Sequence, residues 1–472
     1  MPVDPLMLAR WQFGIVTVYH FLFVPLTISL AFTVAGFQTA WVRSGNERHL
    51  RLTKFFGQLF LINFALGVVT GIVQEFQFGM NWSDYSRFVG DIFGAPLAIE
   101  GLVAFFLEST FLGLWIFGWD RLPKLAHLAT IWIAAIGTVL SAYFILAANS
   151  WMQHPVGYTF NEAAGRAELT DIMAVLLNST AIVAFVHTIP AAFVTGGAFV
   201  AGVAMWRLAR HPGVDAPAFR SAAKVGAWML VVSGLLVAIT GDAQARIMTD
   251  QQPMKMAAAE ALYETSQPAS FSIFTIGSLD GSKEIFSIRI PNLLSFLATA
   301  DFNGKVEGIN NLQAQYEQAF GPGDYTPNIP VAYWTFRLMI GTGMLAALAA
   351  AWFLWSMRRG RFPSRGAVTI AVLLPFLPLA ANSLGWIFTE MGRQPWIVWG
   401  LMTTPLGVSP STSAVEVGLT LVGFTVLYGV LAVIEVGLLL RQIRAGLPDA
   451  DPTAGFHHDG EPEPELELGL GY

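Results

Sequence analysis

Nine long apolar runs recur along the whole chain, and a helix that crosses a membrane needs about 20 mostly apolar residues. The runs lie at residues 12–41, 55–74, 94–117, 125–148, 182–206, 223–240, 331–355, 367–389 and 415–440. With 54% hydrophobic and only 12% charged residues, the composition is also too apolar for a water-soluble globular protein. The sequence therefore predicts an all-α integral membrane protein with nine transmembrane helices.

The uneven distribution of basic residues predicts the orientation. Alternate connections, starting with the one after the first run, carry most of the Lys and Arg, and cytoplasmic connections are the ones enriched in these residues. They include Arg43, Arg48, Lys54, Arg121, Lys124, Arg207, Arg210, Arg358, Arg359, Arg361, Arg365, Arg441 and Arg444. With nine runs, the N-terminus is predicted outside and the C-terminus in the cytoplasm. The opening MPVDPLMLAR has no basic region with a cleavage site behind it, so we predict no cleaved signal peptide.

The runs divide the chain into four parts. Residues 1–240 are predicted to hold helices one to six and residues 331–446 helices seven to nine. The connection 241–330 is too long for a simple turn and is predicted to be a functional loop on the outside. The tail 447–472 is rich in Pro and acidic residues, which predicts a disordered cytoplasmic segment in which His457 and His458 have no function.

The chain has no cysteine, which excludes disulfides, iron–sulfur clusters, covalently attached c-type haem and thiolate metal sites. Any redox centre must use His, Met, Tyr or carboxylate ligands. The net charge of −6 and the lack of a concentrated basic patch give no reason to expect nucleic-acid binding.

Ionisable residues inside the runs are candidates for function, because each costs free energy in a bilayer. In the predicted orientation the candidates other than Glu108 fall in the outer half of the membrane. The candidates are His20, His187, Glu100, Glu390 with Arg393, and the deeper Glu108, joined by Met339 with Arg337 beside it. One further acid, Glu435 in the ninth run, has no predicted role. A His and a Met at similar depth suit a six-coordinate haem iron.

Other interpretations stay open at this point. A lone His or Glu can simply bond a neighbouring helix, and Glu390 with Arg393 can be a structural ion pair at a helix end. An ion-coupled transporter explains Glu100 and Glu108 but not the His and Met residues. A structural scaffold explains none of the intramembrane charge.

Four stretches carry a resemblance to a known family. YHFLFVPLT (19–27), GDIFGAPLAIEGLVAFFLEST (90–110), WMQHPVG (151–157) and GRQPW (392–396) resemble signature stretches of subunit I of the cytochrome bd-type quinol:oxygen oxidases. The resemblance extends over essentially the whole chain. It implies a haem-binding helical bundle in the bacterial cytoplasmic membrane that oxidises quinol, reduces O₂ to water and pairs with a subunit II.

The resemblance also implies cofactors and ligands: two haem b, one low-spin and one high-spin, and one haem d or a third haem b. His187 and Met339 match the low-spin ligands, with Arg337 as their electrostatic partner. Glu390 matches the high-spin carboxylate ligand and Arg393 its arginine, and His20 matches the haem d ligand. Glu100 is expected close to the active-site haem pair, and the division of His20, Glu100 and Glu390 between these two haems stays open. Trp386 resembles an aromatic residue between haems, although a Trp at the membrane interface is the alternative.

The loop stretch QQPMKMAAAEALYE resembles the family's quinol-binding segment, which implies Lys255 and Glu260 as quinol contacts. Taken by themselves, these two residues look like a solvated helix face. The segment from Gln267 to Pro330 is short, as in the short-loop branch of the family, which leaves the choice between menaquinol and ubiquinol open. A small single-helix accessory subunit is a further expected partner, together with membrane lipid.

Proton supply follows from the same set. O₂ reduction consumes protons, and Glu108 lies about 12 Å deeper toward the cytoplasm than Glu100 on one helix, the two about 80° apart around its axis. We expect a path from the cytoplasm through Glu108 to Glu100, with Ser141 at similar depth. Protons released outside by quinol and taken up from inside would separate charge without a pump.

Overall fold

The structure is a computed structural model that describes residues 4–211, 213–358 and 365–451, with only the backbone of Arg365. Within these ranges, nine stretches are long and apolar enough to cross a membrane, as predicted. Their helices are α1 (Pro5–Ser44), α2 (Glu47–Met80), α3 (Ser83–Ile99), α4 (Phe106–Phe117), α5 (Lys124–Gln153), α6 (Ile172–Leu176), α7 (Ser179–Arg210), α8 (Ala216–Gln251), α12 (Ile329–Ser356), α13 (Arg365–Leu373), α14 (Phe376–Met391) and α15 (Ala414–Ala445). Several predicted positions lie outside the described residues, namely Arg359, Arg361, His457, His458 and the rest of 452–472.

Three spans are built from more than one helix. A π-helical turn, Glu100–Phe105, joins α3 to α4, while α6 leads into α7 and α13 into α14. Local sequence sets the helix ends. The Asp4 carboxylate accepts a hydrogen bond from the backbone N–H of Leu6 at the start of α1, and Ser413 and Glu416 form a capping box at the start of α15.

The long connection contains three short helices and one hairpin. They are α9 (Pro253–Glu260), β3 (Phe271–Gly277), β4 (Glu284–Ile290), α10 (Leu293–Thr299) and α11 (Ile309–Phe320). The sixth span ends at Gln251, so the predicted boundary at residues 240 and 241 is too early. The helix continues through polar GDAQARIMTDQ and stops at Gln252 because Pro253 disfavours helical backbone in the residue before it.

All strands of the described residues lie in connections on one side of the bundle, the side of the long loop, which we call the loop side. Besides β3–β4, two small antiparallel pairs occur there. They are β1 (Tyr158–Asn161) with β2 (Arg166–Leu169), and β5 (Trp396–Val398) with β6 (Met402–Thr403). The side opposite has short connections between helices. Among the described residues, the loop side therefore carries nearly all of the structure between the spans.

The main core lies between α1, α2, α5, α7 and α8, toward the side away from the loop. Small residues bring these helices together, since bundles in a bilayer gain stability from close backbone packing. Gly197 on α7 faces Gly226 on α8, and a Cβ on Gly197 would lie 2.7 Å from the Gly226 carbonyl oxygen. Most of the candidate residues lie in the other half of the bundle, toward the loop.

Candidate functional site

Two histidines in different spans have the same hydrogen-bonding arrangement. His20 Nδ1 on α1 lies 3.0 Å from Thr70 Oγ1 on α2, and His187 Nδ1 on α7 lies 3.0 Å from Thr240 Oγ1 on α8. Each threonine hydroxyl also donates to a carbonyl of its own helix. The hydroxyl has one hydrogen, so it accepts from Nδ1–H of the histidine. This assignment leaves the Nε2 lone pair of each ring free to bind a metal.

A glycine follows each of these threonines and leaves space beside the imidazole. A Cβ on Gly71 would lie 3.1 Å from His20 Cε1, and one on Gly241 would lie 3.4 Å from His187 Cε1. The sequence reasoning above missed all four positions. The two threonines each begin a Thr-Gly pair inside a span, 70–71 and 240–241, but the same pair occurs at 195–196 and 342–343 in the fifth and seventh spans, so the sequence alone does not single them out.

Met339 lies on α12, which packs against α8, α7 and α14. Its sulfur lies next to Gly385 on α14, where a Cβ would be 3.0 Å from Sδ. At the next residue of α14, the Trp386 ring meets the Phe21 ring edge to face at 5.1 Å. Trp386 therefore lies beside the segment of α1 that carries His20.

Glu390 and Arg393 form the ion pair expected from the sequence. Arg393 Nε lies 3.0 Å from Glu390 Oε2, and Arg393 Nη2 makes a shorter contact with the same oxygen. The other carboxylate oxygen accepts a hydrogen bond of 3.0 Å from Asn149 Nδ2. The carboxylate is thus held between α5 and the end of α14.

Lys255 belongs to the same cluster. Its Nζ donates to Gln153 Oε1 at 2.8 Å, and Gln153 Nε2 donates to Asn149 Oδ1 at 2.8 Å. These side chains link α9 of the loop to Glu390. Lys255 is buried, and burial together with the positive charge of Arg393 lowers its pKa to about 7, against the opposing effect of Glu390.

Glu260 and Arg337 meet in a second buried ion pair, with 2.6 Å between Oε1 and Nη2. The other Glu260 oxygen accepts from the backbone N–H of Ser272 at 3.0 Å. Burial raises the pKa of Glu260 above its ordinary value, and Arg337 partly offsets this. The solvated helix face that the sequence suggested for Lys255 and Glu260 is therefore wrong, because α11 and α12 cover α9.

Glu100 and Glu108 both face α5. Ser141 Oγ donates to Glu100 Oε1 at 2.7 Å, and a Cβ on Gly137, one turn away, would lie 2.8 Å from Glu108 Cγ. The predicted separation of about 80° is wrong, since the π-helical turn between the two carboxylates rotates less per residue than an α-helix. Glu108 is buried, and its Oε1 has no hydrogen-bond partner among the residues described.

Haem suits these groups better than a bare metal ion does. Among the described residues there is no cluster of three or more His, Cys, Asp or Glu that could hold a bare metal ion. Haem iron needs only one or two protein ligands, and each histidine offers one free ring nitrogen. Arg337 also has two buried nitrogens, Nε and Nη1, without a hydrogen-bond partner in the part of the chain described. Such donors suit a haem propionate, so the residues fit the group.

Comparison with known proteins agrees with this fit. The family model described as cytochrome bd terminal oxidase subunit I matches residues 8–447. Cytochrome bd ubiquinol oxidase subunit 1 of Bacillus subtilis (strain 168) is 47% identical over 97% of this chain and 96% of its own. Cytochrome bd-II ubiquinol oxidase subunit 1 of Escherichia coli (strain K12) is 36% identical over 94% of this chain and 97% of its own.

A solved structure gives the same result. The bd oxidase from Geobacillus thermodenitrificans superposes with a TM-score of 0.85 at 28% identity, covering 94% of this chain and 99% of the other. The match covers nearly the whole of both chains, so the ion-coupled transporter is not favoured. The chain belongs to the cytochrome bd terminal oxidase subunit I family, and it is a multi-pass bacterial membrane protein that forms part of a haem-containing quinol oxidase.

Proposed function

We propose that this chain is the subunit of a terminal respiratory oxidase that takes electrons from quinol on the loop side and delivers them to O₂ through three haems. When bound, the haems supply the one-electron carriers and the iron at which O₂ is reduced to water. The single observation that carries the proposal is the pair of histidines, His20 and His187, each with Nδ1 held by a threonine and Nε2 free.

The ligand assignment follows the resemblance. His187 and Met339 hold a low-spin haem b, and Arg337 lies beside it with two unsatisfied donors for a propionate. His20, Glu100 and Glu390 serve a high-spin haem b and a haem d or third haem b. Arg393 offsets the negative charge of Glu390, so that a buried carboxylate beside iron is tolerated.

The quinol site lies at α9. Lys255 and Glu260 both lie between the loop and the spans, and each contacts the cluster around one proposed haem: Lys255 through Gln153 toward Glu390, and Glu260 directly on Arg337. A quinol hydroxyl that forms a hydrogen bond with either side chain would therefore lie near one of the proposed haems. Both side chains can also accept or donate a proton as quinol is oxidised.

Proton uptake uses the face of α5 that Glu108, Ser141 and Glu100 share. Protons enter from the side opposite the loop, pass Glu108 and reach Glu100, which Ser141 holds at 2.7 Å. Quinol releases its protons on the loop side. Each electron thus moves one charge across the membrane without a pump.

The oxidase works with partners. Subunit II and quinol are implied by membership of the family and by the names of the relatives. One relative is called a ubiquinol oxidase subunit and another, 28% identical, a putative menaquinol oxidase subunit, so quinone type is a question for assay. A small single-helix accessory subunit is a further proposed partner.

A reduced-minus-oxidised visible spectrum of the purified complex tests the proposal. We expect bands of one low-spin haem and of two further haems, together with quinol-dependent O₂ consumption. A complex without haem bands would exclude the oxidase function for this chain. Bands of a single haem would exclude the ligand assignment while leaving the family membership intact.

A further inference from the structure

The β3–β4 hairpin turns its polar face toward the protein and its apolar face away from it. Ser272 and Thr275 on β3 are buried, and Ser272 Oγ lies 2.7 Å from the Tyr333 hydroxyl of α12. The cross-strand pairs on the other face are apolar, and their exposed members include Phe274, Ile276, Phe286, Ile288 and Ile290. A sheet that packs on a protein in water has the opposite arrangement.

Contacts along α12 fix the position of this hairpin. The Phe271 ring lies 4.7 Å from Arg337 Cζ, and the Phe274 and Trp334 rings meet edge to face at 5.4 Å. At the hairpin turn, a Cβ on Gly281 would lie 3.2 Å from Pro330 Cδ. Strand β3 therefore runs beside the first turns of α12, over about 10 Å of its axis.

Two tryptophans on α12 mark where the bilayer surface crosses this helix. Trp334 and Trp355 are both exposed on the outside of the bundle. They are separated by about 32 Å of helix axis, which matches the hydrocarbon core of a bilayer at about 30 Å. Tryptophan is enriched at both membrane interfaces, so Trp334 lies at the interface on the loop side. Phe274, which packs on Trp334, lies at the same depth.

The charges of the hairpin agree with this depth. Asp280, Lys283 and Glu284 are grouped at the turn, next to the very start of α12 and thus on the aqueous side of Trp334. A two-stranded sheet has unpaired edges that the hydrocarbon core does not tolerate. The headgroup boundary, where an amphipathic element buries only its apolar face, does tolerate them.

We propose that the β3–β4 hairpin is a monotopic membrane contact, whose apolar face lies among the acyl chains of the leaflet on the loop side. Its occupant is lipid, because the hairpin continues the exposed apolar surface of α12, where Leu338, Leu345 and Leu348 are each about half exposed or more. The loop is then attached to the bilayer at Ile288 as well as to the bundle at Tyr333.

The absence of cysteine allows a direct test with single labels. I288C and, as an independent site on the same face, F286C receive an environment-sensitive fluorophore. The complex is assembled with partner subunits free of cysteine and placed in lipid nanodiscs that contain nitroxide lipids with the spin label near the headgroup or near the chain end. L348C, in the middle of α12, is the control for deep lipid, and A314C, exposed on α11 of the loop, is the control for water.

We expect loss of fluorescence at I288C and F286C with the shallow nitroxide, a smaller loss with the deep nitroxide, and little quenching by aqueous iodide. L348C should respond most to the deep nitroxide, and A314C only to iodide. Iodide quenching at I288C equal to that at A314C would overturn the proposal. Protection from every quencher would also overturn it, since a partner subunit would then cover the hairpin.

Discussion

Arg337 Nη2 and Glu260 Oε1 lie 2.6 Å apart, and this ion pair joins the seventh span to the loop in a buried site. Arg337 was predicted to lie beside a haem and Glu260 to contact quinol. The two residues are therefore direct partners although their predicted roles differ. A change in the charge of either residue therefore alters the electrostatic environment of the other. This coupling makes the two residues a sensitive test of the site.

Removing the charge of Glu260 and removing that of Arg337 should shift the midpoint potential of the low-spin haem in opposite directions. Glu260→Gln leaves Arg337 uncompensated, which favours the reduced haem, so the midpoint potential should rise. Arg337→Ala removes the cation and should lower the potential, while breaking a buried pair costs about 3–5 kcal/mol of stability. A spectroscopic redox titration measures both.

Glu264→Gln is the matched control, since Glu264 is an exposed glutamate of the same loop and should leave the potential unchanged. A rise with Glu264→Gln equal to that with Glu260→Gln would show that the effect is a general one of loop charge. A fall in potential with Glu260→Gln would contradict the placement of Arg337 beside the haem.

Substitution of Thr240 or Thr70 should affect only the haem that is bound by the histidine it contacts. Thr240→Val keeps the side-chain volume but removes the acceptor for His187 Nδ1–H, which makes the imidazole a weaker donor to iron and disfavours the oxidised state. The potential of the low-spin haem should rise. Thr70→Val should shift only the haem bound by His20. Each variant thus serves as the control for the other, and a crossed pattern would reverse the ligand assignment.

The proposed low-spin ligands give a spectral prediction. His187→Ala or Met339→Leu should abolish the six-coordinate low-spin signal, while the bands of the other haems remain. His154→Ala is a suitable control, because His154 lies outside the spans after α5. An intact low-spin signal in both ligand variants would refute the assignment.

Lys255 should make quinol oxidation depend on pH near neutrality. Its pKa is lowered to about 7, so the ammonium loses its charge as the pH rises through this value, and a quinol contact that needs the charge weakens. KM for quinol should increase above pH 7 in the wild type and lose this dependence in Lys255→Met. Haem content should not change, and loss of haem would indicate a purely structural role.

Glu108→Gln should slow turnover and the generation of membrane potential, because a neutral amide cannot relay protons. O₂ should still bind to the reduced enzyme, which shows that the haem site is intact. Ser141→Ala removes the 2.7 Å hydrogen bond to Glu100 and should slow the same step less. Proton-coupled haem oxidation at the wild-type rate in Glu108→Gln, followed by flash–oxygen kinetics, would exclude Glu108 from the path.

The sequence predicted those features that follow from hydropathy and short-range chemistry. Nine apolar runs become nine spans within the described residues, and Glu390 with Arg393, three positions apart at a helix end, forms an ion pair. The helices were predicted too short, since the polar residues of GDAQARIMTDQ continue α8 until Pro253 ends it. Hydropathy measures the apolar part of a helix and says little about the rest.

Features that depend on contacts between distant segments could not be predicted from one sequence. The charges at Lys255 and Glu260 gave no sign of burial, because the residues that cover them lie on α11 and α12. Thr70 and Thr240 bond histidines 50 and 53 positions away, and the Thr-Gly pair that they share also occurs at 195–196 and 342–343, so it does not single them out. The proposed ligand set remains a prediction until the spectra above are measured.

The π-helical turn Glu100–Phe105 takes up one extra residue between Glu100 and Glu108 while both carboxylates still face α5. Deleting one residue from 101–105 would let the segment close as a regular α-helix, with little change in overall length. The two carboxylates would then be seven residues apart and within about 20° of each other around the axis, so that Ser141 and Gly137 could still face both. The present spacing of eight residues would separate them by about 80° in a regular α-helix, so the turn is a phase correction that keeps the proposed proton route on one helix face.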